Sequence, residues 1–146
     1  MATASQVLAV ARKELGYQEG ANNSNKYGAW YGMNNVAWCA QFVSWVAAQS
    51  GAASLIPRHA YTPAGAAWFQ ARGQWHTSPK VGDVVYFRFP LFIRISHVGF
   101  VESVRTDGTI VTIEGNTNFL GSRTGGGVWR KVRSRSLVAG YGRPKY

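Results

Sequence analysis

A single cysteine leaves this chain without an internal disulfide, so its fold rests on its core rather than on covalent cross-links. Acidic residues are scarce as well. Six Asp and Glu stand against sixteen Lys and Arg, for a formal charge of +10 and a pI near 10.3. Calcium and zinc sites need ligand clusters that this inventory hardly supplies; Asn22–Tyr27 holds no carboxylate, and the scattered histidines offer no zinc spacing. The reading is therefore no metal and no cofactor. No apolar stretch reaches membrane-spanning length, and the first residues lack the basic start and apolar run of a signal peptide. The expectation is a protein that does not insert into a membrane. It would leave its cell without a signal, or be an excised domain. Linkers, repeats and low-complexity segments are missing too, so residues 1–146 read as one domain.

What is present is apolar and aromatic: 46% hydrophobic residues and 14% Phe, Trp and Tyr exclude a disordered chain. Thr3 and Gln6 form a capping box opening a helix through Val7, Val10, Ala11 and Leu15, with Gly16 as its stop. A second helix begins near Cys39 and runs to Gly51. A third starts at Thr62-Pro63 and ends at Gly73. Strand-like runs dominate after residue 82. Roughly three helices followed by five or six antiparallel strands predict an α+β fold, with N-terminal helices on one face of a C-terminal sheet.

Cys39 stands at the loop-to-helix transition in Trp38-Cys39-Ala40-Gln41-Phe42. A thiol there feels the positive end of the helix dipole, which favours the reactive thiolate; the plainer reading is a small buried hydrophobe. His97 opens the run His97-Val98-Gly99-Phe100-Val101, and Asp107-Gly108 marks a hairpin turn. A two-residue loop would set Thr106 opposite Thr109, Val101 opposite Glu114 and Gly99 opposite Asn116. His97, Glu114 and Asn116 then share a face, with Asn116 the diagonal neighbour of His97. A three-residue bulged loop would flip that parity. A thiol, a histidine to take its proton and a third polar group to orient the imidazole are the parts of an activated nucleophile.

These segments, in this order, resemble the CHAP domain, the cysteine, histidine-dependent amidohydrolases/peptidases of bacterial walls and phage endolysins. The resemblance rests on Trp38-Cys39-Ala40-Gln41-Phe42-Val43-Ser44-Trp45, Gly82-Asp83-Val84-Val85-Tyr86-Phe87, His97-Val98-Gly99-Phe100-Val101-Glu102 and Ile113-Glu114-Gly115-Asn116-Thr117. It extends through Glu14–Glu19 and Asn25–Trp30 upstream and ends near Pro144. It implies a papain-like arrangement in which Cys39 and His97 meet across the helix–sheet seam. It further implies a thioester intermediate with Cys39 as nucleophile and His97 as base and then acid. Glu114 would be the orienting member and Asn116 a fourth site residue. The hairpin register puts Asn116 nearer His97, so the division of labour between these two stays open. The implied substrate is peptidoglycan, cut at an N-acetylmuramoyl-L-alanine amide or at a peptide bond of the stem or bridge.

Other residues carry weaker expectations. Trp38 is the best candidate for a wall of the substrate groove. Gln41 is a conceivable second oxyanion donor, though a polar residue on a helix surface needs no function. His59 and His76 read as surface residues of turn-rich stretches. Arg130, Lys131, Arg133 and Arg135 alternate with Val128 and Val132 as a solvated strand face. Gly121 through Gly127 holds four glycines and reads as a mobile loop that could border the cleft. The positive charge suits the anionic polymers of bacterial walls. Without a nucleic-acid-binding motif, the expectation is a monomer acting on the wall and not on nucleic acid. Two rivals stand beside this reading: a non-catalytic basic module binding wall or nucleic acid, and a thiol hydrolase of soluble peptides.

Overall fold

The structure is a computed structural model that describes residues 2–118 and 126–146. Among these residues, helices α1 (Ala4–Lys13), α2 (Lys26–Tyr31), α3 (Cys39–Gln49) and α4 (Thr62–Ala71) precede the sheet. Its strands are β1 (Trp75–His76), β2 (Val84–Phe87), β3 (His97–Val104), β4 (Thr109–Thr117), β5 (Gly127–Ser134) and β6 (Val138–Gly142). They lie in the order β1-β6-β2-β3-β4-β5, every pair antiparallel. The α+β expectation holds, with one short helix more than the sequence suggested. That extra helix, α2, is capped by the Asn25 side chain, which accepts from the Gly28 N–H at 2.7 Å. The Gly121–Gly127 reading falls mostly outside the described residues; Gly126 and Gly127 lead into β5.

Local chemistry explains the helix ends. Thr3 and Gln6 make the reciprocal capping box, and Pro63 occupies the first turn of α4. Alternation then divides the sheet into two faces. Val84, Tyr86, Val98, Phe100 and Ile113 point into the main core, against Val7, Leu8, Phe42, Val43 and Val46 of α1 and α3. Val85, Phe87, Val101, Ile110 and Tyr141 form a second cluster on the opposite face. His97 belongs to that second face: its ring lies 5.8 Å from Phe87 and 5.7 Å from Phe89.

The hairpin differs from the simple expectation in two compensating ways. Arg105 N–H donates to the Thr109 carbonyl at 3.0 Å, so the loop is the three residues Thr106–Gly108, with Gly108 at φ +87°. A register shift between Val101 and Ser103 then adds one more residue to β3. Each change alone would turn the β4 side chains over; together they restore the parity and slide the register by two. Phe100 pairs with Ile113 and Val101 with Thr112, which sets Glu114 over Gly99 instead of Val101. A Cβ on Gly99 would come within 2.6 Å of Glu114 Cγ, so the missing side chain is what admits the carboxylate.

Candidate active site

His97 is wholly buried at the first residue of β3. Its Nε2 meets Glu114 Oε1 at 2.8 Å. Its Nδ1 is buried without a hydrogen-bond partner among the described residues, and Cys39 is, beside Glu114, the second side chain whose proximity acts on the ring. Burial alone would favour the neutral imidazole. The hydrogen bonds to Cys39 and Glu114, with the charge of each, outweigh it and push the His97 pKa up to about 9. The helix start and the strand start thus meet at the end of the sheet, although His97 points to the face away from the helices.

Glu114 is buried and held on every side. Burial opposes its charge, but Arg133 and His97 overcome that and hold its pKa down at about 2. Arg133 donates from Nε to Oε2 at 2.9 Å and from Nη2 to Oε1, and Thr112 Oγ1 donates to Oε2. The Arg133 guanidinium itself sits 5.3 Å from the Phe87 ring centroid and 5.2 Å from that of Phe89. Fork-to-fork contact of this kind fixes a carboxylate in orientation as well as in charge. Arg133 is only 7% exposed, so the solvated-face reading of the basic cluster fails for it. Arg130 instead pairs with Glu102 at the surface, and Val132 is exposed.

Of the residues singled out in the sequence, Cys39, His97 and Glu114 converge. Asn116 is buried nearby with a left-handed backbone, φ +56°, within the stretch where β4 breaks its register with β5. Trp38 must be corrected. It is fully buried, stacks on Tyr27 at 5.2 Å and donates from Nε1 to Glu19 Oε1 at 2.9 Å. It anchors the start of α3 and offers no surface to a ligand. Gln41 is likewise internal, its Nε2 donating to the Met33 carbonyl at 2.9 Å.

His59 is a second correction, being 5% exposed rather than a surface residue. Its Nδ1 lies 2.8 Å from the Pro57 carbonyl, which can only accept, so Nδ1 carries the proton and Nε2 accepts from Tyr86 Oη at 3.0 Å. A Cβ on Gly65 of α4 would fall 2.3 Å from His59 Nε2. That helix glycine was the signal in the sequence that a bulky group packs there. His76, by contrast, is half-buried in β1.

The Cys39 side of the site opens into a cleft of about 340 Å³. Met33, Val36 and Tyr61 give it apolar walls, and Arg94 and Ser96 line it from the segment entering β3. One side of the imidazole is therefore fixed to a saturated carboxylate, and the other faces a thiol at the floor of an accessible cleft. Such an arrangement can generate a thiolate, place it against an electrophile and return a proton to a leaving group.

A family model, the CHAP domain, matches residues 30–116, more than half of the chain, from the last turn of α2 to Asn116. The chain belongs to the CHAP domain family. Among solved structures it is similar to Ly7917, with 20% identity and a TM-score of 0.59 over 97% of this chain. It is also similar to the wild-type endolysin LysIME-EF1, with 19% identity and a TM-score of 0.59 over all of this chain. A further structure is Ly7917 with the hydrolyzing product of MDP, at 18% identity and a TM-score of 0.58. At these identities the likeness shows a shared fold. The chain spans 62% of the Ly7917 chain and 66% of the LysIME-EF1 chain. No curated protein matches.

Proposed function

We propose that this CHAP domain is a peptidoglycan hydrolase that cleaves an amide bond of the bacterial wall through a thioester on Cys39. The observation that carries the reading is the buried line from Arg133 through Glu114 and His97 to Cys39, opening on a cleft. Family membership and the endolysin neighbours favour the wall as substrate.

In this mechanism His97 takes the proton of Cys39, or the two rest as an ion pair, in keeping with the raised His97 pKa. The thiolate attacks the amide carbonyl. The backbone N–H of Cys39, in the first turn of α3, is placed to hold the oxyanion, because first-turn N–H groups have no partner within their helix. The tetrahedral adduct collapses as Nδ1 of His97 gives its proton to the leaving amine, and the thioester remains. Water then attacks the thioester; His97 takes its proton, and the carboxylic acid and the Cys39 thiolate depart. Glu114 holds the ring in register throughout, with Arg133 and Thr112 holding Glu114. The formal charge of +10 keeps the enzyme on anionic wall polymers, an attraction that weakens as the screening length falls from ~10 Å at 0.1 M salt to ~3 Å at 1 M.

The test is turbidity loss of purified walls with wild type and Cys39→Ala. The variant should clear walls at least ~1,000-fold more slowly. Mass analysis of the fragments then names the bond as muramoyl amide or peptide. Equal clearing by the two proteins would remove the catalytic reading and leave a basic binding module.

A further inference from the structure

The cleft above Cys39 carries one charged side chain among its described lining residues, Arg94. Its guanidinium lies over the Tyr61 ring, 5.4 Å from the centroid, and makes one side-chain hydrogen bond, to the Ile95 carbonyl at 3.2 Å. Most of its donors therefore have no acceptor among the described residues. Two residues on, Ser96 also lines the cleft. It is 7% exposed, and its hydroxyl is buried without a hydrogen-bond partner. Buried hydroxyls are ordinarily satisfied, so an orphan beside a cleft can take its missing bond from a water or from a ligand atom. No Asp or Glu is among the described residues that line the cleft. An extended donor fork, an unsatisfied hydroxyl and uncompensated positive charge are together suited to a carboxylate.

We propose that Arg94 and Ser96 form a subsite that binds a carboxylate of the substrate beside the scissile amide, so that the domain selects peptide stems bearing a free acid over amidated ones. This rests on the hydrolase reading in one respect, that the occupant is a wall peptide. The apolar walls from Met33, Val36 and Tyr61 would cover the adjoining side chain, and the Arg94 fork would fix the carboxylate as the amide reaches Cys39. Wall stems offer two sources, the α-carboxylate of a γ-linked D-Glu and the terminal carboxylate of D-Ala.

The experiment measures binding to the Cys39→Ala protein, where no turnover intervenes. The probes are the peptide L-Ala–γ-D-Glu–L-Lys–D-Ala and its forms amidated at one carboxylate, at the other or at both. The expected result is at least ~10-fold weaker binding when the recognised carboxylate is amidated, with the singly amidated forms telling which source is read. Adding Arg94→Gln should erase the difference between acid and amide, Arg94→Lys should keep part of it, and Ser96→Ala should shrink it. Equal binding of acid and amide overturns the proposal. So does an Arg94→Gln protein that still discriminates, or one that weakens both forms alike, or failure of the free acid to bind. Wall clearing by wild type is read separately: its failure would remove the hydrolase reading and leave the binding answer standing.

Discussion

Two histidines lie buried in this domain, and they are held in opposite states. His97 and His59 are 0% and 5% exposed, so water is equally remote from both. His97 faces a carboxylate and a thiol, and its pKa rises to about 9. Burial lowers the pKa of His59; its hydrogen bond to the Pro57 carbonyl pulls the other way and is outweighed, and its second contact is the neutral Tyr86 hydroxyl. Desolvation is the leading influence on each ring, and only the charged partners of His97 reverse it. Burial alone does not make a histidine reactive. The identity of the groups at its two nitrogens does.

The sharpest way to break the contrast is to make His97 resemble His59. Glu114→Gln keeps the shape and removes the charge. His97 should lose most of its upward shift, and kcat/KM for wall clearing should fall by ~10²–10⁴, as when an orienting carboxylate is neutralised elsewhere. Arg133 would be left buried without its carboxylate, at a cost of about 3 kcal/mol in urea unfolding. An enzyme with wild-type kcat/KM would show that Glu114 does not orient the ring and would turn attention to Asn116.

The two rings also differ in how they link stability to pH. His97 has a raised folded pKa, so its contribution is complete below the unfolded value of ~6.5 and is lost as pH rises through about 9. His59 has a lowered folded pKa, so its contribution is present above ~6.5 and is lost on acidification below it. Following the assigned ring C–H signals of His97 and His59 by NMR against pH should give a transition near 9 for the first and one below ~6.5 for the second. In Cys39→Ala the upper transition should move down, because one of its two partners is gone, while the lower one stays. Two transitions near 6.5 would mean that neither ring feels the partners described.

Much of this site was legible as chemistry and less of it as geometry. The capping box of Thr3 and Gln6 and the Pro63 start of α4 are local signals, and local signals survive folding. The same-face placement of His97 and Glu114 followed from period-two alternation. It held only because a third loop residue and the shift near Glu102 cancelled, something a turn motif does not encode. Glu114, not Asn116, contacts Nε2 for the same reason: the register slid by two. Arg133 was hidden in a basic cluster, since a strand pattern does not say which cation will find one of only six acidic residues. Trp38 looked like a groove wall by sequence proximity to Cys39. A helix start sends neighbouring side chains in different directions, and Tyr27 and Glu19 hold the indole inside.

The mildest change is made at the partner of the neutral histidine. Tyr86→Phe removes the hydroxyl that donates to His59 Nε2 and keeps the ring that packs against Trp75 and Phe69. A buried acceptor then lacks its donor, which costs about 1–3 kcal/mol, while the charged groups around His97 are untouched. Urea unfolding should shift by that amount with an unchanged slope, and wall clearing at 25 °C should stay near the wild-type rate. If clearing fell a hundredfold in a protein that remained folded, the line between the two histidines would be drawn in the wrong place. Tyr86 would then have to be counted with Cys39 and His97, since burial and the nearby Cys39 both raise the pKa of its hydroxyl.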